Sequence, residues 1–156
     1  MKIAVLKERA ANEQRVAATP DTVKQIVKLG AEVVIEKGAG ETAAISDDAY
    51  VKAGASISDN TDTLLGEADI LLKVQPSGDG LDEAAKMKKN AIIVSMLSPL
   101  TSGDLLEHYA KHSINAFAME MVPRITRAQS MDVLSSQSNL AGYKAVLDAA
   151  AEFGQA

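Results

Sequence analysis

The chain has 156 residues, 47% of them apolar and 3% aromatic, which predicts one domain with an aliphatic, alanine-rich core. It contains no cysteine and no apolar run near the roughly 20 residues of a membrane helix. This excludes disulfides, thiolate chemistry, cysteine-based metal sites and direct insertion into a membrane. A net charge of −5 and a pI of about 5.0 argue against nucleic acid as a partner.

The start of the chain predicts a strand, a helix and a second strand. The predicted strand at residues 2–6 continues from Lys2 into the apolar run Ile3-Ala4-Val5-Leu6, as in a strand buried on both faces of a parallel sheet. Thr19 is expected to cap a helix that begins at Pro20 and ends at Gly30. Residues 31–35 are the next strand.

A short glycine segment, Gly38-Ala39-Gly40, follows the second strand. A dinucleotide fingerprint needs a third glycine, and Ala43 stands at that position. The alternative is that the glycines allow the chain to turn tightly, and we favour this tight turn over phosphate binding.

The later elements continue the alternation of helices and strands. We predict helices at 46–54, 61–67, 81–89 and 101–111, strands at 55–57, 68–74, 91–96 and 114–119, a turn at 77–80 and an alanine-rich helix over 139–153. Such alternation requires parallel strands with helices on both faces. The predicted fold is therefore a doubly wound α/β sandwich, flavodoxin- or Rossmann-like, with a final alanine-rich linking helix.

Polar residues follow several of these strands. Arg15 comes after the first strand, Lys73 ends the fourth, and Met96 ends the fifth. A polar stretch, residues 123–137, follows the sixth. Ligands in doubly wound sheets lie outside the carboxyl ends of the strands, so we predict that all four meet at one edge.

The polar stretch has the sequence PRITRAQSMDVLSSQ. Arginine offers a planar fork to phosphate or carboxylate, and glutamine offers a donor and an acceptor to a primary amide. This combination suits a nucleotide. The alternative is a solvated loop with an Arg–Asp pair on the surface.

No catalytic constellation is evident elsewhere. His108 and His112 lie one helical turn apart, but the glutamate of a zinc-protease motif is missing, so we interpret them as a solvated helix face. Ser135, Ser136 and Ser138 have no recognisable histidine and aspartate partners. The sequence predicts no acid–base catalyst and no metal site.

Residues 123–143, PRITRAQSMDVLSSQSNLAGY, resemble the signature loop of the NAD(H)-binding component of proton-translocating nicotinamide nucleotide transhydrogenases. The opening, with Lys7-Glu8-Arg9, Glu13, Arg15-Val16-Ala17 and Thr19-Pro20, resembles the start shared by transhydrogenases and alanine dehydrogenases. The resemblance covers essentially the whole chain, and the long loop is specific to the transhydrogenase branch.

This resemblance implies that the cofactor is NAD(H) and that the polar stretch holds its nicotinamide end. The orienting residues would be Arg124, Gln129, Asp132 and Ser135, with Asp132 fixing the Arg124 guanidinium. Further residues would line the same cradle, namely Ile125, Thr126, Arg127, Ser130 and Met131. Hydride transfer between two nicotinamide rings moves no proton to or from the protein, which agrees with the absence of acid–base residues.

The resemblance also implies an organisation. Residues 1–138 would form the N-terminal domain of the family, and residues 139–156 a helix leading towards a second, NAD-binding domain that this chain lacks. The expected partners are the NADP(H)-binding and membrane components, with a homodimer of the chain itself. The expected location is cytoplasmic, peripheral to the inner membrane through the complex. The isolated chain is predicted to be inactive.

Two other functions stay open. In alanine dehydrogenases, substrate-binding residues stand where Arg15 and Lys73 stand here, so the chain could be a substrate domain of such an enzyme. Met96 occupies the place of their catalytic histidine, which argues against pyruvate chemistry. The third possibility is a non-catalytic interaction module, because an exposed alanine-rich helix seeks a partner.

Overall fold

The computed structural model describes residues 1–76 and 80–154, which form two compact units, one over Met1–Ala118 and one that starts at Met119. Within the described residues, the first unit contains a six-stranded, all-parallel sheet. Its strands are β1 (Lys2–Val5), β2 (Glu32–Glu36), β3 (Ser56–Ser58), β4 (Ile70–Leu72), β5 (Ile92–Ser95) and β6 (Asn115–Ala118). The connecting helices are α1 (Pro20–Lys28), α2 (Asp47–Lys52), α3 (Thr61–Glu67), α4 (Leu81–Lys86) and α5 (Gly103–Lys111).

The strand order is β3-β2-β1-β4-β5-β6. The central strand β1 pairs with β2 on one side and β4 on the other, with Ile3 opposite Val33 and Ile70. The order reverses between β1 and β4, which makes this the switch point of the sheet. The predicted doubly wound, Rossmann-like architecture is confirmed.

Helices cover both faces of the sheet. Side chains alternate between the faces of a strand, so Ala4 and Val5 of β1 point in opposite directions. Ala4 belongs to an apolar cluster with residues of α3, α4 and α5, whereas Val5 packs in a second cluster with residues of α1 and α2. The Tyr50 hydroxyl, fully buried in the second cluster, donates to the Ala18 carbonyl at 2.8 Å.

Local sequence explains the helix ends. The Thr19 side chain accepts a hydrogen bond from the Thr22 N–H at 3.3 Å, and Pro20 opens α1 as predicted. Gly30 follows α1 with a φ of 87°, in the left-handed region that favours glycine. These caps fix the points at which the chain enters and leaves the helix.

The glycine segment forms a tight turn, as predicted. Gly38 has a φ of 72°. A Cβ at Gly40 would lie 2.7 Å from the Ile45 carbonyl oxygen and 2.9 Å from the Tyr50 ring. Glycine is therefore needed at residue 40 for close packing.

Several elements are shorter than predicted. Helix α3 ends at Glu67, as predicted, and is followed by Ala68 with extended backbone angles, but β4 begins at Ile70 instead of 68. Likewise α4 ends before Met87, which is also extended. The predicted turn at 77–80 lies largely outside the described residues.

The second unit contains 3-10 helices at Met119–Met121 and Thr126–Met131, followed by α6 (Val133–Glu152). The last helix thus starts six residues before the predicted residue 139, because Asp132 caps it. No described residue of α6 is buried, and its apolar side chains Leu140, Tyr143 and Val146 are exposed. The predicted domain boundary at residue 138 stays a prediction.

None of the helices in the described part of the chain combines the length and apolar character needed to cross a membrane.

Candidate functional site

The polar stretch of the second unit is more ordered locally than a solvated loop. Residues Thr126–Met131 form a 3-10 helix, whose first turn is closed by the Ala128 N–H donating to the Ile125 carbonyl at 2.9 Å. Ala128 is buried, whereas the side chains on either side of it are exposed. The short helix therefore presents its polar residues outwards.

Asp132 connects this short helix to α6. Its carboxylate accepts from the Ser135 N–H at 3.0 Å and from the Ser135 hydroxyl at 2.6 Å. The hydroxyl contact, followed by the N–H contact, holds the pKa of Asp132 below its usual range, and the charge of Arg124 adds to this. Asp132 is thus an ionised N-cap, and it fixes the position of Ser135.

This arrangement differs from the predicted role of Asp132. We expected its carboxylate to hold the Arg124 guanidinium, but no ion pair joins the two among the described residues. The helix cap provides a closer donor, since Ser135 lies in the first turn of α6. Arg124 acts on Asp132 only through its charge.

The other residues that were predicted to bind the cofactor have exposed side chains. In the described part of the chain, the side chains of Arg124, Arg127 and Gln129 form no hydrogen bond or ion pair. Ile125 and Met131, more than half exposed, flank them. Thr126 and Ser130 are exposed as well. The segment thus presents a guanidinium fork, an amide and apolar surface within a few residues.

A second set of polar groups lies at the carboxyl ends of β1 and β4, in the first unit. Glu8, which follows β1, is 8% exposed. Its carboxylate accepts from the backbone N–H of Val74 at 2.7 Å and of Gln75 at 3.3 Å. Burial raises the pKa of Glu8, although these N–H groups and the charge of Lys73 act in the opposite direction. Glu8 joins the two strands between which the strand order reverses.

Arg15 is bound by a neighbouring carboxylate. The Glu13 carboxylate accepts from the Arg15 guanidinium at 2.8 and 2.7 Å, and from the Gln75 amide at 3.0 Å. The contacts with Arg15 lower the pKa of Glu13. Arg15 thus lies near the end of β4, and Glu13 and Gln75 link it to that end of the strand.

Lys73 is fully buried and forms an ion pair with Glu83 of α4, with 2.7 Å between Nζ and Oε1.

Met96 lines a cavity of about 310 Å³ at the ends of β4 and β5. Gln75 contributes to the same cavity, together with Pro76, Leu97, Ser98, Ser102, Asp104 and Leu105. The structure thus places Arg15, Lys73 and Met96 around the ends of β1, β4 and β5. That the polar stretch meets them stays a prediction.

Sequence reasoning gave no role at the site to the carboxylates of Glu8, Glu13 and Glu83. Glu8 and Glu13 lie in a charged connection after a buried strand, a signal that identified Arg15 but was not extended to its acidic neighbours. Glu83 lies in a short helix with ordinary surface composition, and nothing in its local pattern marks it as buried.

The ring centroids of His108, on α5, and His112, the residue after α5, lie 4.5 Å apart with the rings tilted by 37°. Both residues are half-buried, so the helix face that we interpreted as solvated is partly covered. Over residues 1–76 and 80–154, no group of three or more potential ligands could hold a metal ion.

Comparison with known proteins identifies the class. The family described as the N-terminal domain of alanine dehydrogenase and PNT matches residues 4–141, and the chain belongs to this family. Within it, the chain is similar over its whole length to proteins of the transhydrogenase branch.

A protein of Rhodospirillum rubrum that is named as a part of NAD(P) transhydrogenase subunit alpha is 50% identical over 159 residues, covering 100% of this chain and 41% of that protein. The crystal structure of a transhydrogenase from Sinorhizobium meliloti superposes with a TM-score of 0.93 at 42% identity, covering 100% of this chain and 46% of that one. An L-alanine dehydrogenase structure gives a TM-score of 0.73 at 29% identity, covering 81% of this chain and 34% of that one. The chain thus spans less than half the length of these relatives.

Proposed function

We propose that this chain is the N-terminal domain of the NAD(H)-binding component of a proton-translocating nicotinamide nucleotide transhydrogenase. In this proposal, Arg124, Gln129, Asp132 and Ser135 hold and orient the nicotinamide end of NAD(H). The observation that carries the proposal is the similarity to transhydrogenases over the whole of this chain, including the polar stretch.

The local geometry of the stretch supports this role. Arg124 and Gln129 are exposed and form no internal hydrogen bond, so binding a ligand would break no existing contact. The glutamine amide has the complementary donor and acceptor for a carboxamide, and the guanidinium is suited to phosphate. The chemistry of these donors therefore fits a nicotinamide nucleotide.

Asp132 and Ser135 supply the rigidity that orientation requires. Ser135 is fixed twice by the Asp132 carboxylate, which also anchors the start of α6. Groups held on a helix start are placed more precisely than groups on a free loop. We infer that Asp132 positions the site and does not contact Arg124 directly.

The bound nucleotide would supply a hydride, and the chain's residues would hold the nicotinamide ring in the orientation needed for its transfer. No residue of the stretch is a general acid or base, and direct hydride transfer to NADP(H) requires none. We infer coupling of this transfer to proton translocation by membrane components, association with an NADP(H)-binding component, and a homodimer. The location would be cytoplasmic, at the inner membrane.

Kinetics of Arg124→Ala and Gln129→Ala in the full-length protein would test the orienting role. We expect transhydrogenation to fall on the order of a hundredfold, because misplacement by about 1 Å has effects of that size. The Kd for NADH should change much less. Lys24→Ala, which removes an exposed cation on α1, is the control and should leave both quantities unchanged. Equal losses of rate and affinity would contradict an orienting role.

An interaction module is the second candidate, and one observation favours it. The helix α6 exposes apolar side chains along its length, including Leu140, Tyr143 and Val146. Contiguous exposed apolar surface of this kind marks a site of protein–protein contact. The two candidates are distinguished by Arg124→Ala, which should leave assembly intact but reduce the rate only if the stretch binds a nucleotide.

A further inference from the structure

The ion pair between Lys73 and Glu83 differs from the other described pairs. The Lys73 side chain is 0% exposed and that of Glu83 is 10% exposed. Every other ion pair among the described residues has at least one side chain that is 43% exposed or more. Lys73–Glu83 is therefore the pair that has lost most of its hydration, and its charges act on each other at low dielectric.

Stability alone does not account for this pair. Burying two charges costs several kcal/mol per ion, and the attraction offsets this only when the remaining polar atoms are satisfied. Here the Glu83 Oε2 atom is buried without a hydrogen-bond partner, and so is the hydroxyl of Tyr109 on α5. An apolar pair of similar volume would fill the same space without leaving Oε2 unsatisfied.

The pair lies where doubly wound sheets bind ligands. Lys73 follows β4, and its backbone N–H donates to the Val94 carbonyl of β5 at 3.1 Å. Gln75, two residues further on, lines the cavity of about 310 Å³ at the same edge. A buried ammonium at the carboxyl end of a strand is an anion-binding group by its chemistry and position.

We propose that Glu83 acts as an internal carboxylate ligand of Lys73 and thereby excludes small carboxylates from this edge of the sheet. Glu83 fills the anion position beside Lys73 from within the chain, so the Lys73 ammonium is not available to a free carboxylate. Glu8, also buried nearby, adds negative charge that opposes a second anion. Glu83 is thus a specificity-determining residue, and this role does not depend on the proposed transhydrogenase function.

Glu83→Ala provides a direct test, because it removes a CH2–COO⁻ group, which corresponds to acetate. Thermal unfolding of the full protein would be followed in sodium acetate and in sodium chloride at equal ionic strength. We expect saturable stabilisation of the variant by acetate and none of the wild type. With a Kd of about 10 mM, about 100 mM acetate shifts the folding equilibrium about elevenfold. Acetamide, which is neutral and of similar shape, should have no effect.

The double variant Lys73→Met/Glu83→Ala should lose the response to acetate. Glu41→Ala, which breaks the exposed pair with Lys7, is the matched control and should show no response. If Glu83→Ala does not fold in chloride, recovery of folded protein in acetate and not in acetamide gives the same support. Stabilisation of wild type and variant alike, a response that survives loss of Lys73, or no response and no recovery would each overturn the proposal.

Discussion

Replacing Glu36 with glutamine should destabilise the first unit because this side chain is the acceptor for four hydrogen bonds. Its Oε1 accepts from the Thr61 hydroxyl at 2.7 Å and from the Arg9 guanidinium, and its Oε2 accepts from the Lys7 N–H at 2.8 Å and from Arg9 at 3.2 Å. Glutamine keeps one acceptor oxygen. In either orientation its NH2 group faces an Arg9 donor and two of the four existing bonds are broken, although the Thr61 hydroxyl can turn and accept from an NH2 group at the Oε1 position.

The magnitude follows from the number and kind of bonds lost. A hydrogen bond to a charged group contributes about 1.5–3 kcal/mol, so two lost bonds would cost about 3–6 kcal/mol. The Arg9 side chain is 44% exposed, and solvent screening reduces its share. We therefore expect Glu36→Gln to lower the free energy of unfolding by about 2–4 kcal/mol at pH 7.

The loss should depend on pH. Burial acts to raise the pKa of Glu36, but the hydrogen bonds from Arg9, Thr61 and Lys7 outweigh it and hold the pKa below its ordinary value of 4.5. A lowered pKa stabilises the folded state above the unfolded pKa, and this contribution is lost as the pH falls through the folded pKa. The difference between wild type and variant should thus be constant above about pH 5 and shrink below 4.5.

Urea unfolding followed by circular dichroism measures this difference, since the chain has no tryptophan for fluorescence. Glu41→Gln is the matched control, because Glu41 is exposed and its one ion pair within residues 1–76 and 80–154 is with Lys7, at 3.2 Å. It should cost about 0.5 kcal/mol or less. A loss below about 1 kcal/mol for Glu36→Gln, or a difference that does not vary with pH, would refute the reasoning.

Three further predictions concern the polar stretch and its helix. Isothermal titration should find weak or no NADH binding by residues 1–156 alone, and micromolar binding would show that the proposed partial site is complete. Amide hydrogen exchange should be fast over residues 124–131, before the Asp132 cap, in the isolated chain and slower when NADH and the NADP(H)-binding component are both added. Strong protection of these residues in the isolated chain would make the segment structural. Asp132→Ala should destabilise α6 by about 1 kcal/mol and lower its helicity by circular dichroism, whereas an unchanged spectrum would contradict the cap.

The order and type of the elements in the first unit were predictable from sequence because local chemistry and periodicity agree there. Thr19 with Pro20 marks the start of α1, and the apolar run that begins at Ile3 favours a buried strand. Strand and helix ends were less predictable. Ala68 was assigned to a strand and Met87 to a helix, but neither has a distinctive side chain, and tertiary packing decides where β4 begins and α4 ends.

The start of α6 was mispredicted for a specific reason. The apolar spacing begins only at Leu140, whereas the helix begins at Val133. The signal was present in Asp132 followed three residues later by Ser135, a helix-cap pattern in a stretch interpreted as a binding loop. One residue can both cap a helix and line a binding site, and the sequence alone does not say which of these roles Asp132 has.

The buried carboxylates were unpredictable for another reason. Glu8, Glu36 and Glu83 are each defined by partners distant in sequence, such as Val74 for Glu8 and Arg9 for Glu36. Glutamate is rarely buried, so only the three-dimensional pairing identifies these positions.

Because of the contact between Glu8 and the end of β4, the strand order of this sheet does not by itself predict that a ligand binds between β1 and β4. By its order alone, the sheet of the first unit would be grouped with dinucleotide-binding sheets, in which a pyrophosphate enters between the two central strands. Here the connection after β1 has no glycine before Pro20, and the backbone N–H groups of Val74 and Gln75 already donate to Glu8. A pyrophosphate would have to displace a buried carboxylate of its own sign to reach those donors. The strand order is thus that of a nucleotide-binding fold, but the Glu8 side chain occupies the backbone donors that a pyrophosphate would need.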